Sequence, residues 1–149
     1  MPYIIRLTIC MVFTILCACK SNKSIDTQTT QPLQKFDSSI KLMQIASGQI
    51  SPYSETIYGG SKFQVVIQDK DTIFMYTRDT SFKTPEGYGV GGHFGSLPKS
   101  LKKAVLKEPG FIYWVSLKSG WRLGFCEGSS CTDHVPFDSS KIDFIYKRK

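Results

Sequence analysis

The side chains able to do proton or metal chemistry near neutral pH are few in this sequence, and they fall in two places. His93 lies inside a glycine-rich run, while Asp133 and His134 follow the segment Cys126-Glu127-Gly128-Ser129-Ser130-Cys131. A histidine beside a carboxylate can move a proton or supply part of a metal shell. A catalytic zinc needs three protein ligands, and no third ligand stands at a recognisable spacing. No Gly-x-Ser-x-Gly nucleophile turn is present either. A small hydrolase or metal-binding protein using His93 and His134 is the second alternative function; the first expectation is a non-catalytic domain with no cofactor and no metal.

The N-terminus bears on the compartment. Arg6 supplies a positive start, Leu7 to Leu16 an apolar core, and small Ala18 the position before a cleavage point. This run is shorter than the roughly twenty apolar residues that span a bilayer. Leu16-Cys17-Ala18-Cys19 resembles the lipobox of bacterial lipoproteins, which implies that 1–18 is a removed signal peptide and that Cys19 becomes the acylated first residue, carrying palmitate-type chains. A secretory signal without lipid is the alternative, because Arg6 is the only basic residue before the apolar run and Cys17 is unusual there. Several fatty chains hold a domain stably on a membrane face. The expected location is the cell envelope, lipid-anchored to the outer membrane of a Gram-negative bacterium.

Of the five cysteines, Cys10 and Cys17 leave with the signal and Cys19 takes the lipid, so Cys126 and Cys131 remain. Export exposes them to oxidising conditions, and a Cys126–Cys131 disulfide is the natural pairing. A redox-active pair is the rival, but four residues separate the sulfurs rather than the two of a thioredoxin-like motif. Without Arg6 the mature chain keeps 18 basic residues against 12 acidic ones, a formal charge of +6. That balance favours anionic partners such as lipid headgroups or glycan-bound phosphate. Nucleic acid is not expected, since no nucleic-acid motif is present.

Residues 19–35 are rich in Ser, Thr, Asn, Gln and Lys and cannot bury enough apolar surface to fold, which predicts a flexible tether. Residues 36–149 suffice for one small domain. Ile40, Leu42, Met43 and Ile45 suggest a strand. Phe63, Val65 and Ile67 alternate along 62–68, and Thr72 to Thr77 follows the polar Asp69-Lys70-Asp71, which predicts a hairpin. Pro85 to Gly95 forms a glycine-rich loop without the spacing of a phosphate-binding motif. Ser96 reads as the N-cap of a helix with Pro98 in its first turn, whose apolar stripe is Leu97, Leu101, Ala104 and Val105. Phe111 to Leu117 and Trp121 to Cys126 predict a second hairpin with Trp121, Leu123 and Phe125 on one face, and Ile142 to Tyr146 a last strand. The expected fold is α+β, an antiparallel sheet of about five or six strands built from hairpins with one amphipathic helix packed on one face.

The run Tyr76-Thr77-Arg78-Asp79 through Phe82-Lys83-Thr84-Pro85-Glu86-Gly87-Tyr88-Gly89-Val90-Gly91, with Ser119-Gly120-Trp121 and Gly124-Phe125-Cys126-Glu127-Gly128, is similar to small uncharacterised lipoproteins of Bacteroidota-type bacteria. The similarity covers most of the folded region. It implies an exported lipoprotein in which a Lys-Thr-Pro-Glu-Gly turn leads into a short helix and a Ser-Gly-Trp hairpin, and it carries no assigned activity.

The leading functional expectation is a membrane-tethered, non-catalytic domain that binds a protein or envelope component of unknown identity. Its possible surface comprises Tyr88, His93, Phe94, Glu127, Ser129, Ser130 and His134, with Trp114 as a further exposed aromatic. The first alternative is a periplasmic inhibitor of a cell-wall hydrolase such as lysozyme, because a rigid disulfide-closed tip loses little entropy when it plugs a cleft. The vertebrate-lysozyme inhibitor that this loop resembles carries a histidine within the loop, whereas residues 127–130 here do not.

Overall fold

Runs of β-branched and aromatic residues at period two pair wherever a tight turn lets the chain double back. The computed structural model, which describes residues 40–149, is built almost wholly in that way. The expected signal peptide 1–18, lipidated Cys19 and tether 19–35 lie outside the described residues. β1 (Leu42–Ala46) and β2 (Gln49–Pro52) form a separate two-stranded hairpin. The main sheet comprises β3 (Ser54–Tyr58), β4 (Ser61–Gln68), β5 (Asp71–Thr77), β6 (Leu106–Glu108), β7 (Ile112–Ser116), β8 (Arg122–Phe125) and β9 (Phe144–Arg148). All its pairings are antiparallel, in the order β3-β4-β5-β9-β8-β7-β6. The β4–β5 turn is Asp69-Lys70, with φ of 51° and 69°, the two positive values that a type I′ turn requires.

The two faces of this sheet are covered differently. On the first lie Phe63, Val65, Val115, Leu123, Phe125 and Ile145, packed beneath Phe82, Phe94 and Leu97 from the 82–105 connection. Trp121, Leu123 and Phe125 share this face, as their alternation predicts. On the second lie Val66, Phe74, Ile112, Phe144 and Tyr146, and β1 lays Ile45 and partly buried Met43 over them. Arg148 locks that hairpin in place: its guanidinium meets Glu108 at 3.2 Å and donates to the carbonyl of Ile45, while Glu108 also accepts the Ser47 N–H at 3.1 Å. Gly124 lets Phe144 cross β8, since a Cβ there would sit 2.8 Å from Ile112 and 2.9 Å from the Phe144 ring.

The sheet-rich, hairpin-built expectation holds, but several details differ. The sheet has seven strands rather than five or six, because β3 and the short β6 form its edges. The helix is only α1 (Lys99–Lys103), and none of its residues is buried. Leu97 precedes a proline and is driven to extended backbone, with ψ of 145°, so no helix can run through it. Ser96 is therefore not an N-cap: it closes a 3-10 turn at Phe94–Ser96, its hydroxyl donating to the His93 carbonyl at 2.6 Å. At the other end, β6 draws 106–108 into the sheet against β7. Ala104 stays exposed, and only Leu101 and Val105 of the expected stripe reach the core from beyond Leu97. Ile67 is 58% exposed because a bulge between Val66 and Ile67 breaks the alternation. The last strand runs on through Lys147 and Arg148, so the basic tail is mostly sheet.

Candidate functional site

The residues expected to do chemistry are largely occupied with holding loops. Cys126 and Cys131 are joined in a disulfide, with their Cα atoms 3.9 Å apart. Asp133 fastens the same loop from inside: its carboxylate accepts from the Ser129 hydroxyl at 3.3 Å, the Ser130 N–H at 3.4 Å and the Ser130 hydroxyl. Those donors lower its pKa, the Ser130 hydroxyl most. Ser129, Ser130 and His134 are exposed, while Glu127 is partly buried and donates its N–H back to Cys131. His93 is drawn to the 138–142 segment, where its Nδ1 lies 3.2 Å from the Ser139 carbonyl. Among the described residues, no group of three or more His, Cys, Asp or Glu stands where it could hold a metal ion.

One expected surface aromatic needs correction. Phe94 is 6% exposed and packs edge-on against Phe125 at 5.2 Å, so it belongs to the core. Tyr88 is partly buried against that same core. The reason is the glycine-rich loop itself, which adds backbone pairing instead of presenting free amides. The N–H groups of Gly91, Phe94 and Gly95 donate to the carbonyls of Ile142, Ser140 and Asp138, and Ile142 donates back to Gly92 at 2.7 Å. The Lys83–Gly87 turn serves the hairpin that follows: Glu86 accepts the Ser119 N–H at 2.8 Å and hydroxyl at 2.9 Å. Burial raises the Glu86 pKa, and the Ser119 donors, with the Glu86 N–H and the Thr84 hydroxyl, more than reverse it, leaving it lowered.

The second sheet face presents a different site. Directly paired residues share a face, so Glu55, Gln64, Tyr76, Tyr146, Arg122 and Ser116 form one row across six strands. Tyr146 is fully buried at its centre, and Tyr76 and Arg122 flank it half-buried. The β1–β2 hairpin crosses this face, its Lys41 end meeting Glu55 and its Ser47 end meeting Glu108, with Ile45 set over the side of Phe74 and Arg148. On the other side Trp114 is partly exposed, and Arg122 lies over its ring at 4.3 Å from the centroid. Arg78 lies 5.9 Å from the Tyr76 centroid and 6.0 Å from that of Phe144, distances at which a cation is attracted to a ring.

Beside this row a groove of about 670 Å³ opens, lined by Glu55, Ile57, Lys62, Gln64, Tyr76 and Arg78 among others. Its corner is rigidly made. Thr77 donates its hydroxyl to the Lys62 carbonyl at 2.6 Å and accepts the Asp79 N–H at 2.9 Å. Asp79 in turn accepts the Lys62 N–H and both Ser81 donors. The Ser81 hydroxyl, then these backbone donors, pull the Asp79 pKa down to about 2. Burial pushes the Tyr76 phenol up, and drives Tyr146 up to about 12 against the pull of Arg122. The Tyr146 hydroxyl has no hydrogen-bond partner among the described residues.

The charges on this face are unequally engaged. Glu55 is paired with Lys41 at 2.8 Å, Glu108 with Arg148, and Asp143 accepts the Cys126 N–H at 2.6 Å. Lys62, Arg78 and Arg122 have no acidic partner among the described residues. This constellation was missed by local sequence reasoning, because its members come from strands far apart in the chain. The available signal was the unread half of each alternation: Tyr76 and Arg78 between Met75 and Thr77, and Arg122 between Trp121 and Leu123.

No family model, curated protein or solved structure matches this chain.

Proposed function

We propose that this chain is an exported lipoprotein, akin to the small Bacteroidota-type lipoproteins it resembles, anchored to the outer membrane through acylated Cys19 and carrying a non-catalytic binding domain at 36–149. The anchor rests on the apolar run and Leu16-Cys17-Ala18-Cys19. The binding role rests on one observation above all: the second sheet face keeps Tyr76, Trp114 and Arg122 half-covered and Arg78 exposed beside an open groove. A domain concerned only with stability gains little from leaving aromatic rings and unpaired cations at a rigid surface. The carboxylates nearest that groove are already saturated, Asp79 by its own corner and Glu55 by Lys41. These groups position loops and strands, which fits binding better than proton transfer.

Feeding cells an alkyne-tagged palmitate tests the anchor, with label and membrane association expected in the wild type and lost in Cys19→Ser. Immobilised full chain with Cys19→Ser tests the binding role against extracted envelope, with Tyr76→Ala/Arg78→Ala as the paired variant. A component held by the first and released by the second supports the reading; equal retention by both removes it. A second reading, inhibition of a cell-wall hydrolase, draws on the exposed Ser129 and Ser130 at a tip fixed by disulfide and Asp133. No slowing of lysozyme by excess protein eliminates it.

A further inference from the structure

The half-open face carries enough chemistry to name a ligand class, an inference that rests on the binding role proposed above. We infer that the face formed by β5, β9, β8 and the β3–β4 edge binds a linear anionic glycan, one whose sugar rings bear carboxylate or phosphate groups. Charge selects the sign. Glu55 and Glu108 are neutralised by Lys41 and Arg148, which leaves Lys62, Arg78 and Arg122, without an ion-pair partner among the described residues, against the two carboxylates Asp79 and Asp143, so positive charge is in excess. Geometry selects the shape. Lys62 on β4 and Arg122 on β8 are separated by three strand spacings, about 14 Å, with Arg78 between them. That span is too wide for one small anion and suits a chain with spaced charges.

The aromatic residues select the sugar. Partly exposed Tyr76 and Trp114 each carry one of those guanidiniums over one ring face, so the surface offers planar cationic donors together with the apolar ring area they leave uncovered. A pyranose presents C–H groups on its faces and oxygens at its edges, and such a surface meets both. Arginine adds a bidentate fork for carboxylate or phosphate. A peptide of the same charge lacks the flat ring faces. The Thr77–Asp79–Ser81 corner holds the groove in shape before any ligand arrives, which lowers the ordering cost of binding.

Titration calorimetry of the full chain with Cys19→Ser tests this with five probes: trigalacturonate, a phosphorylated maltotriose, the methyl ester of trigalacturonate, maltotriose itself, and triglutamate. Saturable binding of at least one of the two anionic sugars is expected, and which of them binds tells carboxylate from phosphate. Methyl esterification, or removal of the phosphate, should weaken binding at least tenfold, as should Arg78→Gln/Arg122→Gln; triglutamate should bind at least tenfold more weakly. An unchanged circular dichroism spectrum and thermal midpoint separate lost contacts from lost fold. No binding of either anionic sugar, equal binding of its uncharged counterpart or triglutamate, or indifference to Arg78→Gln/Arg122→Gln overturns the inference. If the sugars fail while an envelope component is still held through Tyr76 and Arg78, the binding role stands and the glycan assignment alone falls.

Discussion

Leu123 and Arg122 are neighbours on β8, yet they look out on opposite worlds. Leu123 is fully buried on a face made of Phe63, Val65, Val115, Phe125 and Ile145, side chains without a polar atom, closed over by the 82–105 connection. Arg122 lies half-exposed among Trp114, Tyr146 and Tyr76 on a face that one two-stranded hairpin covers only in part. Both faces are rich in aromatic rings, so ring content does not distinguish them. What differs is the cover: the first face is roofed by the 82–105 connection, whereas the second leaves the polar-tipped rings Tyr76 and Trp114 and the cation Arg122 partly exposed. Such groups are costly to bury dry and inexpensive to leave partly wet. The first face holds the fold together, and the second has surface left over for a partner.

The sharpest way to break this comparison is to truncate the two neighbours in turn. Leu123→Ala leaves a cavity in a closed core and should cost about 3 kcal/mol of unfolding free energy. Arg122→Ala loses a half-exposed cation–ring contact and should cost about 0.5–1 kcal/mol. Urea unfolding followed by tryptophan fluorescence measures both. Equal losses would make the second face a structural core like the first and remove the surplus on which the binding role depends.

The disulfide gives the next largest effect. It lies beyond the end of β8, in the loop that Asp133 also fastens, away from the groove-lining residues. A ring this small constrains the unfolded chain by about 2 kcal/mol, and Cys126→Ser/Cys131→Ser should lose that much under non-reducing conditions. Affinity at the second face should stay within twofold. A loss of binding as large as the loss of stability would move the functional surface to the loop and favour the hydrolase-inhibitor reading.

How far the sequence was legible follows the same division. Both long hairpins could be read, because their turns are short and one face of each strand is strongly apolar: Asp69-Lys70 and Gly120 lie where the chain doubles back. The helix was over-read. The 97–105 stripe has helical spacing, but Pro98 forbids helix at Leu97 and the sheet claims 106–108, and neither effect appears in a count of apolar positions. The open face could not be read locally at all. Tyr76, Arg122 and Tyr146 are neighbours only because β9 inserts between β5 and β8, a pairing fixed by the whole sheet. Phe94 belongs to the core for the converse reason: a glycine-rich stretch looks like an exposed loop until its amides pair with 138–142.

The smallest effect tests whether the groove corner belongs to the open face or to the core. Asp79 has its folded pKa near 2, against an ordinary 3.8, because Ser81 and the Lys62 N–H donate to its carboxylate. A depressed carboxylate stabilises the fold above its unfolded pKa, and that stabilisation disappears as pH falls from about 4 towards 2. Glu55, Glu86 and Asp133 are lowered as well, so the whole protein weakens in acid and only a difference isolates Asp79. Asp79→Asn should flatten the stability profile between pH 4 and pH 2, with little change in slope above pH 5. Proton–carbon spectra of wild type at pH 2 then locate the damage. Tyr76 and Lys62 signals should shift as the corner loosens, while Leu123 and Phe125 hold, because the residues that donate to that carboxylate, Lys62 and Ser81, are not among the closed-face core. Movement of both sets together would mean that the corner is part of the core, and that the groove is no more independent of the fold than Leu123.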